Sequence, residues 1–211
     1  MTRVAIALYE GLTLLDAIGP YQVLTLVPGL EVVVCAERTG RLSDDQNLIH
    51  LEIEHTFDDV ATPDVLLVPG GPGSRRLAVA GTPIVDWVQS AHRSTTWTTS
   101  VCTGSLILGA AGVLDGLKAT THWASYDALA TFGALPSSDR VVVDGKVITG
   151  AGVSAGIDMA LRLVVEMFGI EMAQAVQLGI EYDPQPPTDA GSVAKAPPEI
   201  VELVRAVVAE F

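Results

Sequence analysis

At 211 residues the chain has room for one full hydrophobic core, so a single domain over 1–211 is expected. Hydrophobic residues make up 49% and aromatics only 5%, which predicts a core of Ala, Val and Leu. Twelve Lys and Arg against 25 Asp and Glu give a formal net charge of −13 with no basic patch, which argues against nucleic acid as a direct partner.

In chain order, Val4–Leu8 is a compact apolar run of the kind that becomes a central parallel strand. It has no signal-peptide layout, and no apolar run reaches membrane-spanning length, so a cytoplasmic protein without a membrane partner is expected. Leu12–Leu26 has helical apolar spacing around Asp16, and Gly19-Pro20 predicts a kink or a late start. Glu31–Ala36 is the next strand, with Cys35 as a core residue. Leu48–Ile53 alternates like an edge or hairpin strand, and Val65–Val68 is a third core strand ending at Pro69-Gly70-Gly71-Pro72-Gly73. Ile84–His92 reads as a helix, Ala119–Thr121 as a short strand and Ala124–Phe132 as a helix. Val141–Ile148 reads as a hairpin with Asp144-Gly145 as its two-residue turn. Ser154 is placed to cap a helix over 155–168. A helix over 171–179, the proline-rich 183–187 connector and a helix over 198–210 complete the chain. Strands alternating with helices imply a mostly parallel sheet covered on both faces, with ligands beyond the carboxyl ends of the strands.

The most informative stretch is Thr95–Ala111. A β-branched strand runs straight into Cys102-Thr103-Gly104-Ser105 and then a Leu-rich helix, which puts Cys102 in a tight strand-to-helix elbow. A thiol at the start of a helix meets unpaired N–H groups that favour an anion, so a lowered pKa and a nucleophilic role are expected. The alternative is a buried structural cysteine. With only Cys35 and Cys102 present, a disulfide framework is excluded and a reducing compartment is expected.

Asp16 sits between apolar neighbours. It is either a surface residue or a buried, partnered acid whose pKa a nearby thiolate would raise, making it a proton donor. The glycines after Val68 lack phosphate-loop spacing; they form either an oxyanion-type site of backbone N–H groups or a tight turn. His122 is the one histidine beside plausible core structure, as a base or as a satisfied ring. No pair of His, Cys or Asp has metal-ligand spacing, so neither metal nor other cofactor is expected.

Together these residues resemble the DJ-1/PfpI superfamily and, within it, the isocyanide-hydratase branch. The matching pieces are Leu15-Asp16 with Gly19-Pro20, Pro69-Gly70-Gly71, Thr99–Ser105, Ala119–Trp123, Ala155–Asp158 and Glu181-Tyr182 with its proline-rich tail. The resemblance implies a flavodoxin-like three-layer α/β sandwich of the class I glutamine amidotransferase-like type, and a homodimer. It also implies that isocyanide and water form an N-substituted formamide through a Cys102 thioimidate. Cys102 then maps to the nucleophile, Asp16 to its acidic partner and Thr103 to the residue that follows; Gly70, Gly71 and Gly150 are the implied substrate- or oxyanion-binding positions. DJ-1-type and glyoxalase-type relatives carry Glu at the Asp16 position, and PfpI-type proteases and amidases carry His at Thr103. Related readings are glyoxalase, deglycase or amidase-like chemistry on small carbonyls, and a redox sensor without turnover. Regulators of the AraC type add a DNA-binding domain after a similar one; no such domain is expected up to Phe211.

Overall fold

The computed structural model describes residues 1–79 and 81–208. In chain order the elements are β1 (Thr2–Ala7), α1 (Leu14–Leu24), β2 (Leu30–Ala36), β3 (Gly40–Ser43), β4 (His50–Ile53), β5 (His55–Thr56), β6 (Val65–Val68), α2 (Pro72–Leu77) and α3 (Pro83–His92). They continue with β7 (Trp97–Val101), α4 (Gly104–Ala110), β8 (Lys118–Ala119), α5 (Tyr126–Ala130), β9 (Leu135–Pro136), β10 (Val141–Asp144) and β11 (Val147–Gly150). Three helices follow, α6 (Ala155–Phe168), α7 (Ile170–Gly179) and α8 (Pro198–Val208).

Seven strands form the central sheet in the order β10-β11-β7-β6-β1-β2-β5. Every neighbouring pair is parallel except β10 against β11. The middle strands are apolar on both faces, and Ile6, Leu66, Leu67 and Ile148 are wholly buried. That pattern requires helices on both sides. Helices α1, α6 and α7 pack as one group and α2 to α5 as another, which makes the α/β three-layer sandwich. β3 and β4 form a separate antiparallel hairpin, so the alternating run at 48–53 finds its partner there rather than at the edge of the main sheet.

Glycine sets the closest approaches between elements. An added Cβ on Gly156 would meet Val101 and Pro20 side-chain atoms at 3.2–3.3 Å, so α6 lies directly on β7 and α1. At Gly104 the same atom would collide with the Val68 carbonyl, so α4 can start only there if its residue has no side chain.

Four local expectations need correction. α1 does not start late at Pro20; it begins at Leu14 and runs through Pro20, whose missing N–H leaves the Asp16 carbonyl without its helical donor. The hairpin turn is Gly145-Lys146, one residue beyond the Asp-Gly expectation, because Asp144 stays in the ladder opposite Val147 and its carboxylate accepts the Lys118 N–H at 2.8 Å. Gly145 supplies the left-handed φ of +57°. Ser154 does not cap α6: it already has helical dihedrals, and its hydroxyl meets Arg140 Nη2 at 3.3 Å. The segment expected as a helix over 124–132 divides into a 3₁₀ turn at Trp123–Ser125 and α5. Residues 209–211, at the end of the last expected helix, lie outside the described residues.

A methyl group at Gly104 should cost about 1–3 kcal/mol or more through overpacking against the Val68 carbonyl. Gly179→Ala, where an added Cβ meets nothing within 4 Å, is the matched control. Thermal melts should show a lower midpoint for Gly104→Ala and an unchanged or higher one for Gly179→Ala.

Candidate active site

The carboxyl ends of β6, β7 and β11 meet at Cys102. Val101 ends β7, and the next residue adopts φ +54°, a left-handed conformation rare for anything but glycine. Four polar groups hold that turn. The Cys102 N–H donates to the carbonyls of Gly150 (3.0 Å) and Ala151 (2.8 Å), while its carbonyl accepts from the hydroxyls of Thr121 and Ser105, each at 3.0 Å. The strained elbow expected from sequence is therefore present, with its strain held in place by neighbouring structure.

Asp16 stands in the first turn of α1 and is fully buried. Its Oδ2 accepts the Gly70 N–H at 2.9 Å, whereas Oδ1 has no protein partner. Gly70 separates acid from sulfur by the width of one missing side chain. A Cβ there would lie 2.8 Å from both Asp16 Oδ2 and Cys102 Cβ, and 2.5 Å from the Thr103 nitrogen. Burial, countered in part by the Gly70 amide and the Cys102 thiol, lifts the Asp16 carboxyl to about 7.

The thiol behaves opposite to the sequence expectation. Burial first and the Asp16 charge second push Cys102 up to about 12, although the Val153 and Thr103 amides and the Thr103 hydroxyl all favour the thiolate. Only 5% of the residue is exposed, and removing water outweighs the helix-start donors. Asp16 therefore gives up its proton first, at about 7, and the thiol keeps its own beyond that, so the pair holds two protons below about 7 and one above. Cys35 is likewise pushed up to about 12 by burial and has no acid beside it; its Sγ meets only the Ile6 carbonyl at 3.8 Å.

Thr103 ties the elbow to the glycine loop. Its hydroxyl accepts the Gly71 N–H at 3.0 Å and lies 3.3 Å from the Gly71 carbonyl as donor. Both glycine amides expected to face an oxyanion are thus engaged within the protein, Gly70 with Asp16 and Gly71 with Thr103. Gly150 is a buried β11 residue whose carbonyl receives the Cys102 N–H. All three glycines contribute space and scaffold here, and no free donor.

Sequence reasoning missed two groups. Tyr9 is buried, donates to the Pro69 carbonyl at 2.7 Å, and is held well above the usual tyrosine range by burial and then by Asp16 and Cys102. Val153, just past β11, offers the sulfur a backbone amide that no side-chain identity reveals. The position was legible only as a loop at a strand's carboxyl end. Val153 also lines an open cavity of about 1320 Å³ together with His122, Trp123 and Tyr126. Residues of the connector, including Pro186 and Val193, line the same cavity. His122 Nδ1 accepts the Ala124 N–H at 3.4 Å, and burial together with Arg75 lowers its pKa, so it is a neutral wall residue beside the site. Among the described residues, no group of three His, Cys, Asp or Glu could hold a metal ion, and no helix is long and apolar enough to cross a membrane.

Because the folded-state pKa of Asp16 is raised, its contribution to stability is full below 3.8 and is lost as pH rises through about 7. The cost at pH 8 is on the order of 4 kcal/mol. Asp16→Asn should therefore gain stability over the parent between pH 4 and pH 8, read as a denaturation midpoint gap that widens with pH. A gap constant with pH would mean that the carboxyl titrates as a solvated one.

The comparisons agree with this geometry. The DJ-1/PfpI family matches residues 2–166. The isonitrile hydratase of Pseudomonas putida is 43% identical over 203 residues, covering 96% of this chain and 88% of the relative. A crystal structure of a ThiJ/PfpI family protein from Pseudomonas syringae superposes with a TM-score of 0.94 at 39% identity, over 100% of this chain and 87% of that one. Drosophila melanogaster DJ-1beta shares the fold at a TM-score of 0.76 and 22% identity, over 85% of this chain and 97% of that one. A cysteine elbow facing a buried acid across a glycine, on a sheet matched from end to end, places the chain in the DJ-1/PfpI family.

Proposed function

We propose that this protein hydrates an isocyanide to the N-substituted formamide, with Cys102 as nucleophile and Asp16 as proton carrier. One observation carries the reading: a wholly buried carboxyl near pKa 7, with one oxygen unpartnered, faces the sulfur across Gly70. The 43% identity to the isonitrile hydratase of Pseudomonas putida supports the same reaction.

The steps balance without a cofactor. In the one-proton form of the pair, the thiol proton passes to Asp16 as Sγ bonds to the terminal isocyanide carbon, and Asp16 gives that proton to the same carbon, leaving a thioimidate, R–N=CH–S, and a carboxylate. Water then adds to the same carbon, one of its protons passing through Asp16 to nitrogen. As the carbinol collapses to the formamide, Asp16 takes the hydroxyl proton and the C–S bond breaks. The departing sulfur is received by the Thr103 and Val153 amides. Both hydrogens of water end in the product, one on carbon and one on nitrogen, and the enzyme returns to its starting state.

The same arrangement speaks against chemistry on carbonyls. Attack on a carbonyl builds an oxyanion that needs preorganised donors, and the Gly70 and Gly71 amides are already engaged. Addition of sulfur and a proton to an isocyanide builds no oxygen charge in its first step.

Incubation with an alkyl isocyanide, followed by mass spectrometry, should show formamide and a Cys102 adduct. Cys102→Ala should abolish both, and Asp16→Asn should slow turnover by about 10²–10⁴. Full turnover in either variant removes that residue from the reaction. The reactive form holds one proton on the pair, so kcat/KM should rise with pH through about 7, and this inflection should be lost in Asp16→Asn.

The proposal includes a homodimer. Leu15, Ile18 and Tyr21 are exposed on α1, beside Asp16, as an apolar strip that a second copy would cover. Light scattering should give twice the chain mass. Leu15→Glu should shift that mass toward the monomer; a monomeric parent protein ends this part of the reading.

A further inference from the structure

We infer that a second, smaller cavity binds a small oxyanion, a phosphate or a short carboxylate, through Arg38, Arg41 and Arg76. The cavity has a volume of about 180 Å³ and an apolar lining that includes Leu8, Tyr9, Leu42 and Phe57. It opens beyond the carboxyl ends of β1 and β2, in the zone where parallel α/β sheets bind ligands, and neither Cys102 nor Asp16 is in its lining.

The charge distribution singles it out. The chain has only twelve Lys and Arg, and most are committed. Arg3, Lys118, Arg140, Arg162, Lys195 and Arg205 are in ion pairs, Lys146 donates to the carbonyls of His92 and Thr95, and Arg75 bonds the Ser125 hydroxyl. Among the described residues, four arginines make neither an ion pair nor a side-chain hydrogen bond: Arg38, Arg41, Arg76 and Arg93. Three of the four surround this one cavity.

In a protein of net charge −13, three exposed guanidinium groups around one cavity carry directed N–H donors that no group among the described residues accepts and that an anion can take over from solvent. Arg76 is held over the loop after β1, its Nη2 lying 3.8 Å from where a Gly11 Cβ would stand. Two acids, Glu10 and Glu37, also line the cavity, with Glu10 accepting the Ser43 N–H at 3.1 Å, so three guanidinium groups against two carboxylates leave the lining one positive charge in excess. The volume falls below the roughly 300–1,000 Å³ of sites for drug-sized ligands, which sets the occupant as a few-atom anion with an apolar edge at most. A planar oxyanion can accept two parallel N–H donors from one guanidinium and a third from the next.

Calorimetric titration of the whole protein with inorganic phosphate, and separately with propionate, in a chloride background tests the site. One saturable site per chain for either anion is the expected result, and the stronger of the two identifies the preferred oxyanion. Arg76→Gln and Arg38→Gln should each weaken binding at least tenfold, while Arg93→Gln, an equally unpaired arginine outside the cavity, should leave it unchanged. Absence of saturable heat for both anions overturns the inference. So does an Arg93→Gln loss equal to the others, which would mean general charge screening. The readout is independent of isocyanide turnover, so its failure leaves the catalytic proposal standing, and the reverse holds too.

Discussion

Excluding water from Asp16 is the constraint on which the rest of the site depends. A solvated carboxyl would be ionised at neutral pH and would only repel a thiolate. Buried at 0% exposure, with a single amide donor on Oδ2, the same carboxyl holds its proton to about 7. Such burial costs stability that the aliphatic core must offset, a common condition at sites where chemistry needs an unfavourable charge state. The elbow adds a second cost, because φ +54° at Cys102 is uncomfortable for a residue with a side chain. Thr121 and Ser105 together with the Gly150 and Ala151 carbonyls hold that geometry, so the sulfur cannot relax away from the acid.

Small residues make the meeting possible. Gly70 lets acid and sulfur approach, Gly104 lets α4 begin against Val68, and Gly156 lets α6 lie on β7. The bulk missing at these positions explains how a chain with few aromatics still closes a dry site. Its dryness comes from close backbone approach rather than from large side chains.

Much of the architecture was legible because parallel strands buried on both faces are compact apolar runs: Val4–Leu8, Glu31–Ala36 and Val65–Val68 each mark a real strand within a residue or two. The Cys102 elbow was legible for a related reason, since a β-branched run meeting Gly-Ser and then a leucine run leaves little room for any other geometry. Asp16 was legible as a candidate only because apolar neighbours made a carboxylate there expensive. The protonation of the thiol was not legible. A helix start suggests a lowered pKa, and only coordinates reveal that burial and the facing acid outweigh it. Backbone donors were equally hidden: nothing in the letters at 153 says that its amide faces a sulfur, and nothing at 70–71 says that both amides are already used. The turn at Gly145-Lys146 slipped by one residue because Asp144 is retained in its strand by a contact 26 residues away, which local turn chemistry cannot register.

The distribution of amide donors argues for one kind of chemistry over another. Around the reacting centre, Gly70 N–H serves the carboxyl, Gly71 N–H serves Thr103, and the Thr103 and Val153 amides serve sulfur. None of these four is left for a developing oxygen charge. An enzyme of acyl transfer spends its best-placed amides on that charge. Here the same resources fix an acid and steady a sulfur, which suits a reaction whose hard step is delivering one proton and one nucleophile to the same carbon. The unpartnered oxygen of that acid, Asp16 Oδ1, then has a plain physical meaning. A buried carboxyl oxygen without a hydrogen bond is costly unless a substrate or water completes it, and this oxygen is on the residue proposed above as the proton carrier.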